Sequence, residues 1–387
     1  MIYVHIPFCR SFCIYCDFYS VAVCAGKEDA GQTGRFQKYC NAVVREAGLR
    51  RNEIIDSIRL YGSPDTLYIG GGTPSVLPLD VFRNMAAGIG KEVFGDEGHR
   101  YEEFTVEVNP DDICAGGPEY LKGLREIGVN RLSMGIQSFD DGLLKWMNRR
   151  HDAAGAVKAV DLIRRAGFRN LSIDLIFGIS GLTDEVWQAT VSEAVRLAPE
   201  HISAYQLSVE EGSALAELER AGKYAEADES LCRRQYDILC GMLAGAGYRH
   251  YEISNFARPG YEAVHNSAYW KRLPYTGLGA GAHSAVAGSG GVVEFRRWNP
   301  DDAEGYASAS GVEPESEKLD ADDIGVEEIM LSLRTAEGIS RSLIPEHATS
   351  MMLKSGDLEL LPGNRLRIPE SRFFVSDAII RDIVSEI

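Results

Sequence analysis

The sequence predicts an α/β protein, a parallel sheet curled into a partial (β/α) barrel and followed by a small C-terminal α+β unit. Three observations carry that expectation. Short β-branched runs alternate with helical patterns from residue 66 to about 256. Chemically distinctive residues fall at the carboxyl ends of successive runs, where barrels place their sites. No GxGxxG follows the first strand, which weighs against a doubly wound open sheet; cysteines follow it instead.

The elements can be justified in order. IYVHI (2–6) opens the sheet. TLYIGG (66–71), EFTVEV (103–108), NRLSMGIQ (130–137), LSIDLIFG (171–178) and ISAYQLS (202–208) continue it, with YRHYEIS (248–254) as a further strand. Between them, 79–94, 119–128, 153–167, 183–198 and 229–247 carry apolar residues at helical spacing. The last three run into Gly167, Pro199 and Gly247, as helices do at their ends. Residues 1–300 are therefore expected to form the barrel domain. Around 284–317 the alternation fails, and SAVAGSGG, WNPDDAEG and GVEPESEK read as a turn-rich, acidic connection. Residues 315–387 resume with a helical stretch at 321–340, two short apolar runs flanking Pro362-Gly363-Asn364 as in a hairpin, and a final helix over 376–387. That combination suggests a small winged-helix-like accessory domain, too acidic to bind DNA.

Composition narrows the function classes. The chain has 387 residues, 45% hydrophobic and 25% charged, with a net charge of −17. These are the proportions of a globular protein with a large core, and the acidic balance excludes a sequence-independent grip on nucleic acid. Met1 leads into an apolar stretch without a basic leader region, and no run approaches the length of a spanning helix. A cytoplasmic location is expected, with its eight cysteines as free or metal-bound thiols.

Cys9, Cys13 and Cys16 form C-x3-C-x2-C directly after the first strand. Thiolates are soft ligands suited to zinc or iron–sulfur centres. The plainer reading is a structural zinc site completed by His5 or Cys24. The sharper one is a [4Fe–4S] cluster with three protein ligands and one iron left for a small molecule, since such clusters otherwise take four cysteines. Phe8, Phe12, Tyr15, Phe18 and Tyr19 would cover it. Downstream, GGGTP (70–74) allows close backbone approach to a ligand, and Glu107, Gln137, Arg149 and Asp174 stand at or after strand ends. Carboxylates suit ribose hydroxyls and an ammonium group, and arginine suits a carboxylate.

The cysteine spacing together with GGGTP resembles the radical S-adenosylmethionine (SAM) superfamily. YVHIPFC, GGGTP, NRLSMGIQSF and IDLIFG are similar to the branch holding the oxygen-independent coproporphyrinogen III oxidases and their HemW-type haem chaperone relatives. The resemblance implies a [4Fe–4S] cluster on Cys9, Cys13 and Cys16 with SAM as the fourth ligand. It also implies SAM contacts at Tyr3, Tyr15, Gly71, Gly72, Thr73, Glu107, Gln137, Arg149 and Asp174. The oxidases extend the motif to C-x3-C-x2-C-x-C and carry a long preceding segment; here Phe18 stands two after Cys16 and the chain opens MIYVHIPFC. HNSAYW (265–270) matches the H-N-x-x-Y-W signature of the chaperone type, which implies haem ligation by His265 beside Tyr269 and Trp270.

The implied function is therefore haem delivery to haem-accepting proteins. The alternative is an oxygen-independent coproporphyrinogen III oxidase or a related radical SAM porphyrin enzyme. The implied partners are haem, its protein acceptors and an electron-donor protein, with no nucleic acid; a transient membrane contact and a homodimer complete the expectations. His283 and His5 are read as second axial ligands or as structural, the structural role being preferred. Cys24, Cys40, Cys114, Cys232 and Cys240 share no metal spacing, and core packing accounts for Cys232 and Cys240.

Overall fold

Strands form where the β-branched runs predict them. A computed structural model describes residues 1–23, 30–288, 290–311 and 313–386. Its main sheet contains β1 (Ile2–Ile6), β2 (Thr66–Gly71), β3 (Glu103–Val108), β4 (Arg131–Gln137), β5 (Leu171–Phe177), β6 (His201–Gln206), β7 (Arg249–Glu252), β8 (Asn255–Ala257) and β9 (Thr276–Leu278). Their order is β9-β1-β2-β3-β4-β5-β6-β8-β7. The run from β9 to β6 is parallel, and β8 and β7 add antiparallel strands at one edge. The two edge strands do not pair with each other, so the barrel is partial.

Side-chain alternation divides each strand between two environments. Leu67, Ile69, Phe104, Val106, Leu132, Met134, Leu171, Ile173 and Ile202 are fully or almost fully buried in the core. Residues of the opposite parity, among them Tyr68, Glu107, Arg131, Ser133, Asp174 and Ser203, line a cavity inside the barrel. One parity builds the core and the other builds the site.

The helices follow their caps. Leu79–Phe94 spans the expected residues and ends at Gly95 in the left-handed conformation (φ 75°). Asp152, Thr183 and Asp228 cap Ala153–Arg165, Asp184–Leu197 and Glu229–Gly245 by accepting from the third N–H beyond. The helix expected at 119–128 starts earlier, as Pro110–Ile127, with a break at Gly117 (φ 61°) before Pro118. Pro110 suits a first helical turn, and Asp111 and Asp112 complement its dipole. Two further helices, Ala30–Leu49 and Arg51–Arg59, precede β2. In the first, Phe36, Tyr39, Cys40, Val43 and Ala47 form one buried stripe, which assigns Cys40 to the core.

The stretch expected as a plain connection is structured. His283–Ala287, Val293–Trp298 and Glu315–Lys318 form a three-stranded antiparallel sheet, with a short helix Ala303–Ser308 between the last two strands. Cross-strand pairing, which apolar runs do not report, overrides the turn-rich composition there. Beyond it lie helices Ala321–Ser332, Glu346–Ser355 and Ser376–Val384. A sheet of Ile339–Ser340, Arg365–Arg367 and Glu359–Leu361 accompanies them. The hairpin turns at Pro362-Gly363-Asn364, where Gly363 and Asn364 both take positive φ. Phe373 and Phe374 pack this region against His250 and Tyr236 of the barrel. Among the described residues no helix is long and apolar enough to cross a membrane.

Candidate functional site

Pro7 leaves β1 and the chain enters the cysteine loop, which is tied down on several sides. Val21 and Val23 N–H donate to the Pro7 and Cys9 carbonyls, and Ile14 exchanges backbone bonds with Met147 and Leu215. The Asn148 amide donates to the Phe12 carbonyl at 2.7 Å. Cys9, Cys13 and Cys16 consequently line the same cavity, of about 500 Å³, as the carboxyl ends of β2 to β6.

Each thiol meets distinct chemistry. Thr73 Oγ1 donates to Cys9 Sγ at 3.3 Å, and Arg149 Nη1 donates to Cys13 Sγ at 3.2 Å. Burial pushes the Cys16 thiol up to about 11, and the neighbouring Cys13 and Cys9 add to the shift. A deprotonated Cys16 there requires a cationic centre, as an iron–sulfur group provides. The soft-donor set and the open cavity fit such a group. Among the described residues no three His, Cys, Asp or Glu side chains converge to hold a single metal ion. His5 is engaged elsewhere, and Cys24 lies outside the described residues. Of the aromatics expected to cover the loop, Phe8 is buried and Tyr15 lines the cavity. Phe12 and Phe18, 46% and 65% exposed, line its open side.

The opposite wall is polar. Glu107 accepts from the Tyr68 hydroxyl at 2.7 Å and the Gly71 N–H at 3.1 Å. Burial pushes its carboxyl up to about 7, against those two bonds. Asp174 is raised by burial to about 6, while Ser203 and Ser133 hydrogen bonds and the charge of Arg131 oppose the rise. Arg149 clamps two walls together: Nη2 donates to Asn109 Oδ1 at 2.6 Å and to the Gly135 carbonyl at 2.5 Å, while its buried Nε has no partner. Gln137 sits at a bulge in the β4–β5 pairing with φ 70°, uncommon for a residue with a side chain, and this turns it into the cavity mouth.

The glycines of GGGTP serve packing as well as access. Gly71 and Gly72 line the cavity. A Cβ on Gly71 (φ 107°) would lie 2.6 Å from the His5 ring, and one on Gly72 would lie 2.9 Å from the Phe8 carbonyl oxygen.

Thus Cys9, Cys13, Cys16, Tyr15, Gly71, Gly72, Thr73, Glu107, Gln137, Arg149 and Asp174 all meet at one cavity. Tyr3 does not line it; its hydroxyl bonds His5 Nδ1 at 3.0 Å and its ring lies beside Tyr68. His265 is elsewhere too. It is buried, with Nδ1 on Thr66 Oγ1 at 2.7 Å and Nε2 on the Tyr269 hydroxyl at 2.9 Å. Its neighbour Asn266 is the residue of that signature that reaches the cavity. Sequence reasoning passed over Tyr68, Asn109, Arg131, Ser133, Ser203 and Tyr205, which share the wall. The signal was present, since all but Asn109 have the inward parity of their strands.

The model of the radical SAM superfamily matches residues 3–194. The chain is 34% identical to the haem chaperone HemW of Bacillus subtilis over 89% of its length and 86% of that protein. It is 33% identical to the Lactococcus lactis haem chaperone HemW, covering 87% of the chain and 82% of the relative. The Mycobacterium tuberculosis haem chaperone HemW is 30% identical over 99% and 94%. Among solved structures, coproporphyrinogen III oxidase HemN from Escherichia coli superposes with a TM-score of 0.75 over 100% of this chain and 90% of that one. At 19% identity, that likeness establishes the shared fold.

Proposed function

The chain belongs to the radical SAM superfamily and, within it, to the family of the haem chaperone HemW, and on that premise we propose that it is a haem carrier built around a cluster-and-SAM site. Cys9, Cys13 and Cys16 hold a [4Fe–4S] cluster, and SAM occupies the cavity beside it. Bound together, these groups supply one-electron chemistry at a carbon–sulfur bond, fed by an external reductant. The remaining roles belong to the chain. Glu107 and Asp174 offer anionic acceptors for the ammonium and ribose groups of SAM, and the unpartnered Arg149 Nε is a donor for its carboxylate. Haem is bound by the same chain and passed to haem-accepting proteins.

One observation carries the reading. Three thiols from one loop and four polar side chains, Glu107, Gln137, Arg149 and Asp174, face a single cavity. Haem ligation by His265 needs a further step, because iron would have to replace Thr66 or Tyr269 on its ring. The test is anaerobic reconstitution with iron and sulfide, followed by SAM and then haem titration. Bound iron and sulfide, a cluster spectrum altered by SAM, and stoichiometric haem uptake support the proposal. Zinc in place of iron, or conversion of coproporphyrinogen III to protoporphyrinogen without haem uptake, overturns it.

A further inference from the structure

Ligation of haem by histidine needs a ring nitrogen with a free lone pair, and a flank that accepts a flat apolar macrocycle. The chain has eight histidines. Six are committed. His5 bonds the Tyr3 hydroxyl and the Tyr19 carbonyl, and His99 pairs with Asp65. His151 bonds the Ile136 carbonyl through Nε2, and its unpartnered Nδ1 is buried, out of reach of a macrocycle. His201 is held by Ser172 and Tyr251, and His250 by Tyr236 and the Ile253 carbonyl. His265 is held by Thr66 and Tyr269. His347 is exposed but faces Glu386 at 4.0 Å, and among the described residues no aromatic ring contacts it.

His283 meets both requirements and is open to solvent. It is exposed at the start of its strand, and among the described residues its ring has no hydrogen bond or ion pair. It stands directly opposite Trp298 on the neighbouring strand, the two rings stacked with centroids 6.0 Å apart and planes at 21°. The indole is itself fixed, since its N–H donates to Glu315 Oε2 at 3.1 Å. Two residues earlier, Gly281 lies against Tyr19, so this surface adjoins the cysteine loop. We infer that His283 is the imidazole on which the chain receives haem iron, with Trp298 packed beside it against the macrocycle. The inference rests on the haem-carrying reading above and adds where the haem sits. Only a coordinate bond forms, from a ring nitrogen lone pair to iron, so no electron or leaving group needs an account.

The experiment is haem titration of the full chain, reconstituted with its cluster without oxygen and followed through the Soret band. His283→Ala should weaken binding at least about tenfold and remove the histidine-ligated spectrum. Added imidazole should restore that spectrum, and His283→Met should change it to that of a thioether ligand. His347→Ala should match wild type. SAM binding reports that the His283 variants are folded. Wild-type affinity and spectrum in His283→Ala overturn the inference, as does a loss confined to His265→Ala or His347→Ala. Failure of wild type itself to take up haem overturns the carrier reading beneath it.

Discussion

The Tyr68 hydroxyl donates to Glu107 at 2.7 Å while the Gly71 N–H donates to the other carboxylate oxygen at 3.1 Å, so the carboxylate is held in one orientation before any ligand arrives. Burial nevertheless lifts Glu107 to about 7, which leaves it poised near neutrality. A cationic ligand group needs the anion. SAM affinity should therefore rise with pH, by about tenfold per unit below 7 and levelling above it. Equilibrium binding at several pH values checks this, and Glu107→Gln should weaken binding and flatten the curve. A wild-type affinity independent of pH would contradict the assignment.

The same shift predicts an opposite trend in stability. The folded pKa of Glu107 lies above its ordinary value of 4.5. Between about 4.5 and 7 the folded chain keeps a proton that the unfolded chain has lost, so stability falls as pH rises through that window. Asp174, raised to about 6, adds to the fall over its own window. Urea midpoints of the ligand-free chain at pH 5 and 8 should differ in that direction, and Glu107→Gln should shrink the difference.

Arg131 is the cation that faces both carboxylates from the barrel interior. It is 1% exposed, its Nε has no partner, and among the described residues it forms no ion pair. Its charge opposes the upward shifts of Glu107 and Asp174. Arg131→Met should move the pH midpoint of SAM binding upward, by about one unit. Arg131→Lys should restore part of that shift, whereas a purely structural role would leave the midpoint in place and change stability alone.

Some of this was legible in the sequence for physical reasons. Each barrel strand from β1 to β6 is a β-branched run bounded by turns, and the thiols and strand-end polar groups sit where parallel β/α folds expose their loops. The Ala30–Leu49 helix was missed although Phe36, Tyr39, Val43 and Ala47 recur at helical spacing, because its three glycines blur the pattern. His283–Ala287 and its partner strands were missed because pairing between distant segments creates them. His265 shows a different limit. A signature names the residue, but the Thr66 and Tyr269 bonds that occupy its ring arise only when the chain folds.

Arg149 links the cysteine loop to the sheet through Cys13, Asn109 and Gly135. Arg149→Ala should both weaken SAM binding and speed cluster loss, measured as iron retained after buffer exchange. Arg149→Lys should not rescue either property, because an ammonium cannot span three partners with the fixed planar fork of a guanidinium. Normal cluster retention in Arg149→Ala would show that the clamp is dispensable.

Gly72 is a close contact between the start of the cysteine loop and the end of β2. A Cβ there would lie 2.9 Å from the Phe8 carbonyl oxygen and 3.0 Å from that of Ile6, backbone atoms on a strand that cannot swing aside. The Gly72 N–H also donates to the Ile6 carbonyl at 2.8 Å, so relieving the clash would break that bond. Gly72→Ala should destabilise the chain by about 1–3 kcal/mol and displace Cys9, lowering iron content as well as the urea midpoint. Gly34 is the control. It lies in the Ala30–Leu49 helix with nothing within 4 Å of an added Cβ, so Gly34→Ala should stabilise by about 0.5–1 kcal/mol and leave iron content unchanged. Equal effects of the two substitutions would remove the steric argument for the glycine loop.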